Sequence, residues 1–151
     1  MSEAIRIREW RADDFEALHA LDAACFPPHI AYSRRRLRSF LRLPGTECLV
    51  AEQAAILAGF ILTHSAGIHG HIISLDVDET FRRRGVGSAL MAATEERMAS
   101  RGVRQIELET AVDNAPAISF WQRHGFEPVG VLKNYYAHRV DAVTMTRNLE
   151  E

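Results

Sequence analysis

The segment that most restricts the fold is a strand, a glycine-bearing turn and a helix in direct succession. Ile72-Ile73-Ser74-Leu75-Asp76-Val77 reads as a strand, with Ile73, Leu75 and Val77 expected on one face. Phe81-Arg82-Arg83-Arg84-Gly85-Val86-Gly87-Ser88 follows as the turn. From Gly87 to Arg101, Leu90, Met91, Thr94 and Met98 recur at helical spacing, and Gly102 stands where such a helix would end. Glycines let a backbone approach a ligand closely, and the first amides of a helix have no partner within it. The turn therefore suits an anion such as a pyrophosphate, with arginines adding charge. The competing reading is a tight turn that merely needs glycine. Two better-known phosphate loops do not fit. A dinucleotide fingerprint needs a small residue where Leu90 stands, and a P-loop needs a Gly-Lys-Ser/Thr that is absent. Asp76 and Asp78 make too thin a case for magnesium.

The rest of the chain organises around this unit. Ile5 to Arg8 alternates as a strand, and Asp13 is placed to cap a helix carrying Phe15, Leu18, Leu21 and Cys25. Pro27-Pro28 ends it, and Ser33 caps a second helix with Leu37, Phe40 and Leu41 on one face, closed by Pro44-Gly45. Cys48 to Glu52 and Ile56 to Thr63 form a hairpin, and Ser65 to Gly70 is expected as a loop. Gln105 to Thr110 is a strand with Ile106 and Leu108 opposite Glu107 and Glu109. Asn114 caps a helix with Pro116 in its first turn and Gly125 at its end. Val129 to Leu132 and Ala142 to Thr146 are the last strands, joined by Lys133 to Arg139. The expected order is β-α-α-β-β-β-α-β-α-β-β, a mixed α/β domain over residues 1–151.

Composition excludes some classes. A net charge of −2 gives no general affinity for nucleic acid or an anionic membrane. Arg34, Arg35 and Arg36 suit a solvated helix face better than a phosphate site. Met1 to Arg6 lacks an apolar signal region, and the apolar run from Ala54 to Leu62 is about half a bilayer span. A cytoplasmic protein without membrane partners is expected. Cys25 and Cys48 sit in apolar surroundings and read as buried, inert thiols. His69 and His71 lack a visible third ligand, so no metal is expected.

Arg82-x-x-Gly85-x-Gly87 after Leu75-Asp76-Val77 resembles the acetyl-CoA signature of the GCN5-related N-acetyltransferase (GNAT) superfamily. Asn114 to Glu127, with its Gly125-Phe126 ending, resembles that family's next helix. Lys133-Asn134-Tyr135-Tyr136 resembles the N-terminal protein acetyltransferases, most of all the bacterial ribosomal-protein alanine N-acetyltransferase (RimI-like) group. The resemblance implies a mostly antiparallel seven-stranded sheet with about four helices, splayed between its fourth and fifth strands. Acetyl-CoA would be the co-substrate, its pantetheine arm in the split. Leu75, Asp76 and Val77 would offer main-chain groups to that arm. Arg82, Arg83, Arg84, Gly85, Val86, Gly87 and Ser88 would wrap the pyrophosphate, and Asn114 would touch the cofactor. The acceptor would be a protein or peptide N-terminus, with a ribosomal protein among the candidates. A small-molecule amine or protein lysine, and a non-catalytic acyl-CoA-binding module, are the alternatives.

Acetyl transfer needs a neutral amine, so a base must take a proton from an ammonium. Glu109 stands at the family's base position; on pattern alone, Glu107 and Glu109 simply line a solvated face. Family members commonly carry tyrosine, as the general acid, where this chain has Trp121, and an indole N–H can donate a hydrogen bond but not a proton. Tyr135 or Tyr136 could substitute, or the thiolate could leave unprotonated. Asn134, Tyr135 and Tyr136 together suit gripping a peptide terminus, although aromatic packing at a strand end explains the tyrosines equally simply. His138, close to the same loop, reads as either a surface residue or a proton relay.

Overall fold

The computed structural model describes residues 4–137 and 139–149. Seven strands form one sheet: β1 (Arg6–Glu9), β2 (Thr46–Gln53), β3 (Ile56–Ala66), β4 (His69–Val77), β5 (Gln105–Ala111), β6 (Glu127–Tyr136) and β7 (Val140–Asn148). Their order is β1-β2-β3-β4-β5-β7-β6, and every neighbouring pair is antiparallel except β4 with β5. Four helices complete the fold: α1 (Phe15–Cys25), α2 (Arg34–Arg42), α3 (Val86–Ser100) and α4 (Ala115–Arg123). This is the expected element order and the expected sheet.

Alternation along the strands sends apolar side chains to both faces. Leu49 and Ala51 of β2 join Ile61, Ile106, Leu108 and Met145 against α3, whose Val86, Leu90, Met91 and Met98 are buried. Cys48 and Val50 turn the other way and join Phe60 and Leu62 against Phe15, Leu18 and Leu21 of α1 and Leu37 of α2. Each such side chain contributes about 1.5–3 kcal/mol relative to exposure, so packing rather than helix propensity holds α1 to α4 in place.

Several boundaries depart from expectation for physical reasons. Asp13 does not cap α1. A 3-10 turn, Ala12–Asp14, precedes the helix, and the Asp14 carboxylate takes the Arg11 amide at 2.6 Å and the Arg8 guanidinium at 2.9 Å. Ser65 to Gly70 is no loop, because β3 and β4 run on as ladder to Ala66 and His69. Lys133 to Arg139 is not a connection either: β6 continues to Tyr136 and β7 starts at Val140. Ile73 does not share a face with Leu75 and Val77. Thr63 pairs with Ile72 and Leu62 with Ser74, which leaves Ile73 as the extra residue of a β-bulge. Ile73 packs on the α1 and α2 side, while Leu75 and Val77 pack on the α3 side.

The bulge also sets Asp76 against α1. Asp22 of α1 and Asp76 are both fully buried and close enough to interact, and Asp22 Oδ1 and Asp76 Oδ2 have no other hydrogen-bond partner among the described residues, as for two carboxyls that share a proton. Asp76 accepts from the Ser74 hydroxyl, and Asp22 accepts from the Tyr32 amide at 2.7 Å. Two carboxylates this close and this dry cannot both ionise, so burial and the Asp22 charge hold the Asp76 carboxyl well above the usual carboxylate range. In the pH range above the ordinary carboxylate pKa, the folded chain keeps this proton and the unfolded chain releases it. Stability should therefore fall with rising pH, by up to about 1.4 kcal/mol per pH unit from this group, until Asp76 ionises in the fold. Asp76→Asn, which can donate the same bond without titrating, should flatten that slope in urea unfolding followed from pH 5 to pH 8.

Candidate active site

The site begins where β4 and β5 stop pairing. They are joined only through His69 with Gln105, Gly70 with Ile106 and His71 with Glu107. The bulge at Ile73 bends β4 away just past the last of these pairs, so the edge from Leu75 to Val77 has β3 on one side and open space on the other. A cleft of about 650 Å³ fills the gap.

The turn before α3 forms one end of the cleft. Arg83 and Gly85 have φ of 63° and 84°, and this alternation about Arg84 curls successive amides into a concave surface. Ser33 and Asn114 cap α2 and α4 with their side chains, at 3.1 and 3.2 Å, whereas α3 is capped by Gly85 and no side chain satisfies its first amides. Gly87 leaves little room for a side chain: a Cβ there would lie 3.1 Å from the Phe120 ring, which would have to give way. Arg82, Arg83, Gly85, Val86, Gly87 and Ser88 line the cleft. Arg84 does not; its guanidinium lies over the Phe81 ring, 5.6 Å from the centroid. Leu75 and Val77 line it, whereas Asp76 is turned into the joint with α1. Asn114 reaches the wall with its side-chain oxygen already committed to the Ala117 amide.

Glu109 marks the other end. Its side chain, 12% exposed, accepts from His71 Nε2 at 2.7 Å and from the Tyr135 hydroxyl at 3.4 Å. The Glu109 hydrogen bond raises the His71 pKa against the effect of burial. His71 is 39% exposed and lies behind Glu109, on a separate depression it shares with His64, His69 and Glu107. It thus connects a cleft carboxylate to solvent. Among the described residues no group of three or more His, Cys, Asp or Glu could hold a metal.

Tyr136 lines the cleft, and its phenol is pushed up by burial. Tyr135 stands half exposed at the rim, edge-on to Tyr136 at 4.9 Å. Adjacent strand residues normally point to opposite faces. Here the register between β6 and β7 slips between Leu132 and Tyr136, with left-handed Asn134 (φ 53°) and Ala137 (φ 51°). Asn134 itself is outside the cleft, its amide donating to Asp141 Oδ1 at 2.8 Å. Trp121 also lines the cleft, wedged edge-on between Phe120 and Phe126. His138 lies outside the described residues.

Sequence reasoning overlooked His71 as a partner of Glu109, and it missed the whole wall from the α1–α2 connection. Cys25, Phe26, Ile30 and Tyr32 line the cleft, with Asp22 fully buried behind them. Cys25 is accordingly not a core thiol: it is half-buried, donates to the Val77 carbonyl at 3.4 Å, and is pushed up to about 11 by desolvation. It is a neutral thiol at physiological pH.

Known proteins resemble this chain in sequence and in fold. Residues 5–126 match the acetyltransferase (GNAT) family. An N-alpha-acetyltransferase of Sulfurisphaera tokodaii is 40% identical over 81 residues, 53% of this chain and 48% of that protein. The chain thus spans about half the length of this relative. N-alpha-acetyltransferase 30 of Dictyostelium discoideum is 34% identical over 124 residues, 80% of this chain and 67% of the relative. The crystal structure of Ard1 from Thermoplasma volcanium superposes with a TM-score of 0.90 at 30% identity, covering 98% of this chain and 99% of that one. With the splayed sheet, the glycine turn at the start of α3 and a match over residues 5–126, the chain belongs to the acetyltransferase (GNAT) family.

Proposed function

We propose that this chain transfers the acetyl group of acetyl-CoA to the N-terminal α-amine of a protein or peptide. The observation that carries the reading is one cleft with an anion-binding helix start at one end and a carboxylate with a route to solvent at the other. The names of the related N-alpha-acetyltransferases support it. The donor set suits acetyl-CoA: unpaired amides from Val86 to Ser88 with Arg82 and Arg83 for a diphosphate, and the open, largely apolar β4 edge for a long arm. Acetyl-CoA supplies the acyl group already activated as a thioester.

Glu109 takes the proton from the incoming ammonium, and His71 passes it outward to solvent. The pair works as a base once His71 is neutral, so activity should rise with pH through a value above that of an ordinary histidine. The acidity of the acceptor favours an α-amine. Its pKa is about 8, against about 10.4 for lysine, so a carboxylate–histidine pair has far less to overcome. Tyr136 faces the cleft as a neutral phenol and is the group able to protonate a departing thiolate, a role closed to Trp121. Tyr135 at the rim offers the acceptor an aromatic wall. A ribosomal-protein N-terminus is one member of this acceptor class. The two free thiols, one of them buried, suit a reducing compartment such as the cytoplasm, and among the described residues no helix is long and apolar enough to cross a membrane.

Three measurements test the proposal. Gly87→Asp places bulk against Phe120 and a negative charge at the helix start, and should abolish acetyl-CoA binding in calorimetry; unchanged affinity in a folded variant would remove the pyrophosphate site. Glu109→Gln should lower kcat by about 10²–10⁴-fold at neutral pH with acetyl-CoA affinity retained, and the loss should shrink at high pH where more amine is neutral. A thiol-release assay should show turnover on peptides with a free α-amine and none on N-blocked peptides with an internal lysine. In the same assay Tyr136→Phe should depress kcat with little change in KM. Equal turnover on blocked and free peptides would leave the fold standing and overturn the acceptor; no thiol release with any amine would leave a binding module.

A further inference from the structure

Helix α2 is the most one-sided charge on the molecule. Its sequence, RRRLRSFLR, holds five arginines and no acid in a chain whose net charge is −2. Arg34 is neutralised by Glu16, and Arg38 lies over the Phe15 ring at 4.2 Å. Arg36 has no carboxylate partner among the described residues; its guanidinium rests over the Phe40 ring, 5.4 Å from the centroid. That ring packs edge-on against Tyr32 at 5.1 Å, and Tyr32 is a wall of the cleft, its hydroxyl directed at the Ile73 carbonyl. Its charge also opposes the upward push of burial on the phenols of Tyr32 and of Tyr135 at the rim. Through Phe40 and Tyr32, Arg36 therefore stands at the mouth on the side of the α1–α2 connection.

The acids that could cancel it are committed elsewhere. Glu16 is held by Arg34, Glu109 by His71 and Tyr135, and Asp22 by Asp76 and the Tyr32 amide. What remains at the mouth is an exposed guanidinium, pre-set by its stack on Phe40, some way outside the carboxylate that receives the amine proton. On the acceptor reading above, a chain entering amine-first would bring its next side chains past this group.

We infer that Arg36 is a specificity-determining residue that selects acceptors carrying a carboxylate directly behind the N-terminal residue, that is, acidic N-terminal sequences. The contribution is an attraction that falls on KM, because Arg36 is remote from the transferring group.

Three peptides that differ only in residues 2 and 3 test it with the intact protein: Ala-Asp-Glu, Ala-Gln-Gln and Ala-Lys-Lys ahead of one common tail. The acidic peptide should have a KM about five-fold below the neutral one, with similar kcat, and the gap should narrow in 0.5 M salt. Arg36→Gln should bring the two KM values together and Arg36→Glu should favour the lysine peptide. Arg42→Gln, at the far end of the same helix, should leave the preference in place. Acetylation of all three peptides with equal KM, or a preference that survives Arg36→Gln, overturns the inference while the acceptor class stands. A preference lost equally in Arg42→Gln reduces it to a general field of the helix and overturns it too. If Arg36→Gln leaves peptide kinetics unchanged but weakens binding of a single-stranded RNA oligonucleotide, the helix serves nucleic acid instead. No turnover on any of the three sinks the acceptor reading and this inference with it.

Discussion

Everything functional in this molecule depends on the parallel pairing of β4 with β5 ending after three residue pairs. A parallel ladder carried to the end of both strands would close the sheet and leave no cleft. The bulge at Ile73 prevents this by bending β4, and it has a second effect on the same strand. It shifts the side-chain alternation by one residue, so that Leu75 and Val77 face α3 while Ser74 and Asp76 face α1. One extra residue thus opens the cofactor wall and places the buried acid that ties α1 to the sheet. Helix α3 then enters the gap with its first amides unsatisfied, which makes the cleft attractive to a diphosphate.

The two acid pairs along this cleft have opposite settings. Asp22 and Asp76 are sealed, and their shared proton holds α1 and, through the Tyr32 amide, the connection that walls the cleft. Glu109 and His71 are connected to solvent: His71 sits on the last rung of the ladder, opposite Glu107, and Glu109 stands two residues beyond, where its carboxylate still reaches the imidazole. Burial without an outlet makes a structural proton, and partial exposure makes a transferable one. The proposed chemistry needs the second kind at the acceptor end and would be harmed by the first.

Much of the cofactor end was legible in the chain because its signals are local. Gly85 and Gly87 before an apolar 3.6-residue pattern, and Asn114 with Pro116 before another, state their own backbone geometry. The acceptor end was less legible. Tyr135 and Tyr136 read as neighbours on a loop, yet they reach the same region through a register slip in a strand that continues past them. Cys25 read as core because its flanks are apolar, and nothing local shows that Pro27-Pro28 sends the following segment across the open edge of β4. The solvated-face reading of Arg34 to Arg36 was sound for Arg34, which pairs with Glu16 in solvent, but incomplete for Arg36, whose setting depends on the Phe40 ring of its own helix and on Tyr32 of the α1–α2 connection beneath it.

The chain by itself determined the element order, the helix caps at Ser33 and Asn114, the apolar faces and the glycine turn, since each follows from hydrogen-bonding and steric rules acting within a few residues. Tertiary structure decided the bulge at Ile73 and the joining of Asp22 to Asp76 and of His71 to Glu109. Those partners are 54 and 38 residues apart in the pairs Asp22–Asp76 and His71–Glu109. No local propensity encodes such distances. They are set when two apolar cores close on opposite faces of one sheet and leave the strands a single register.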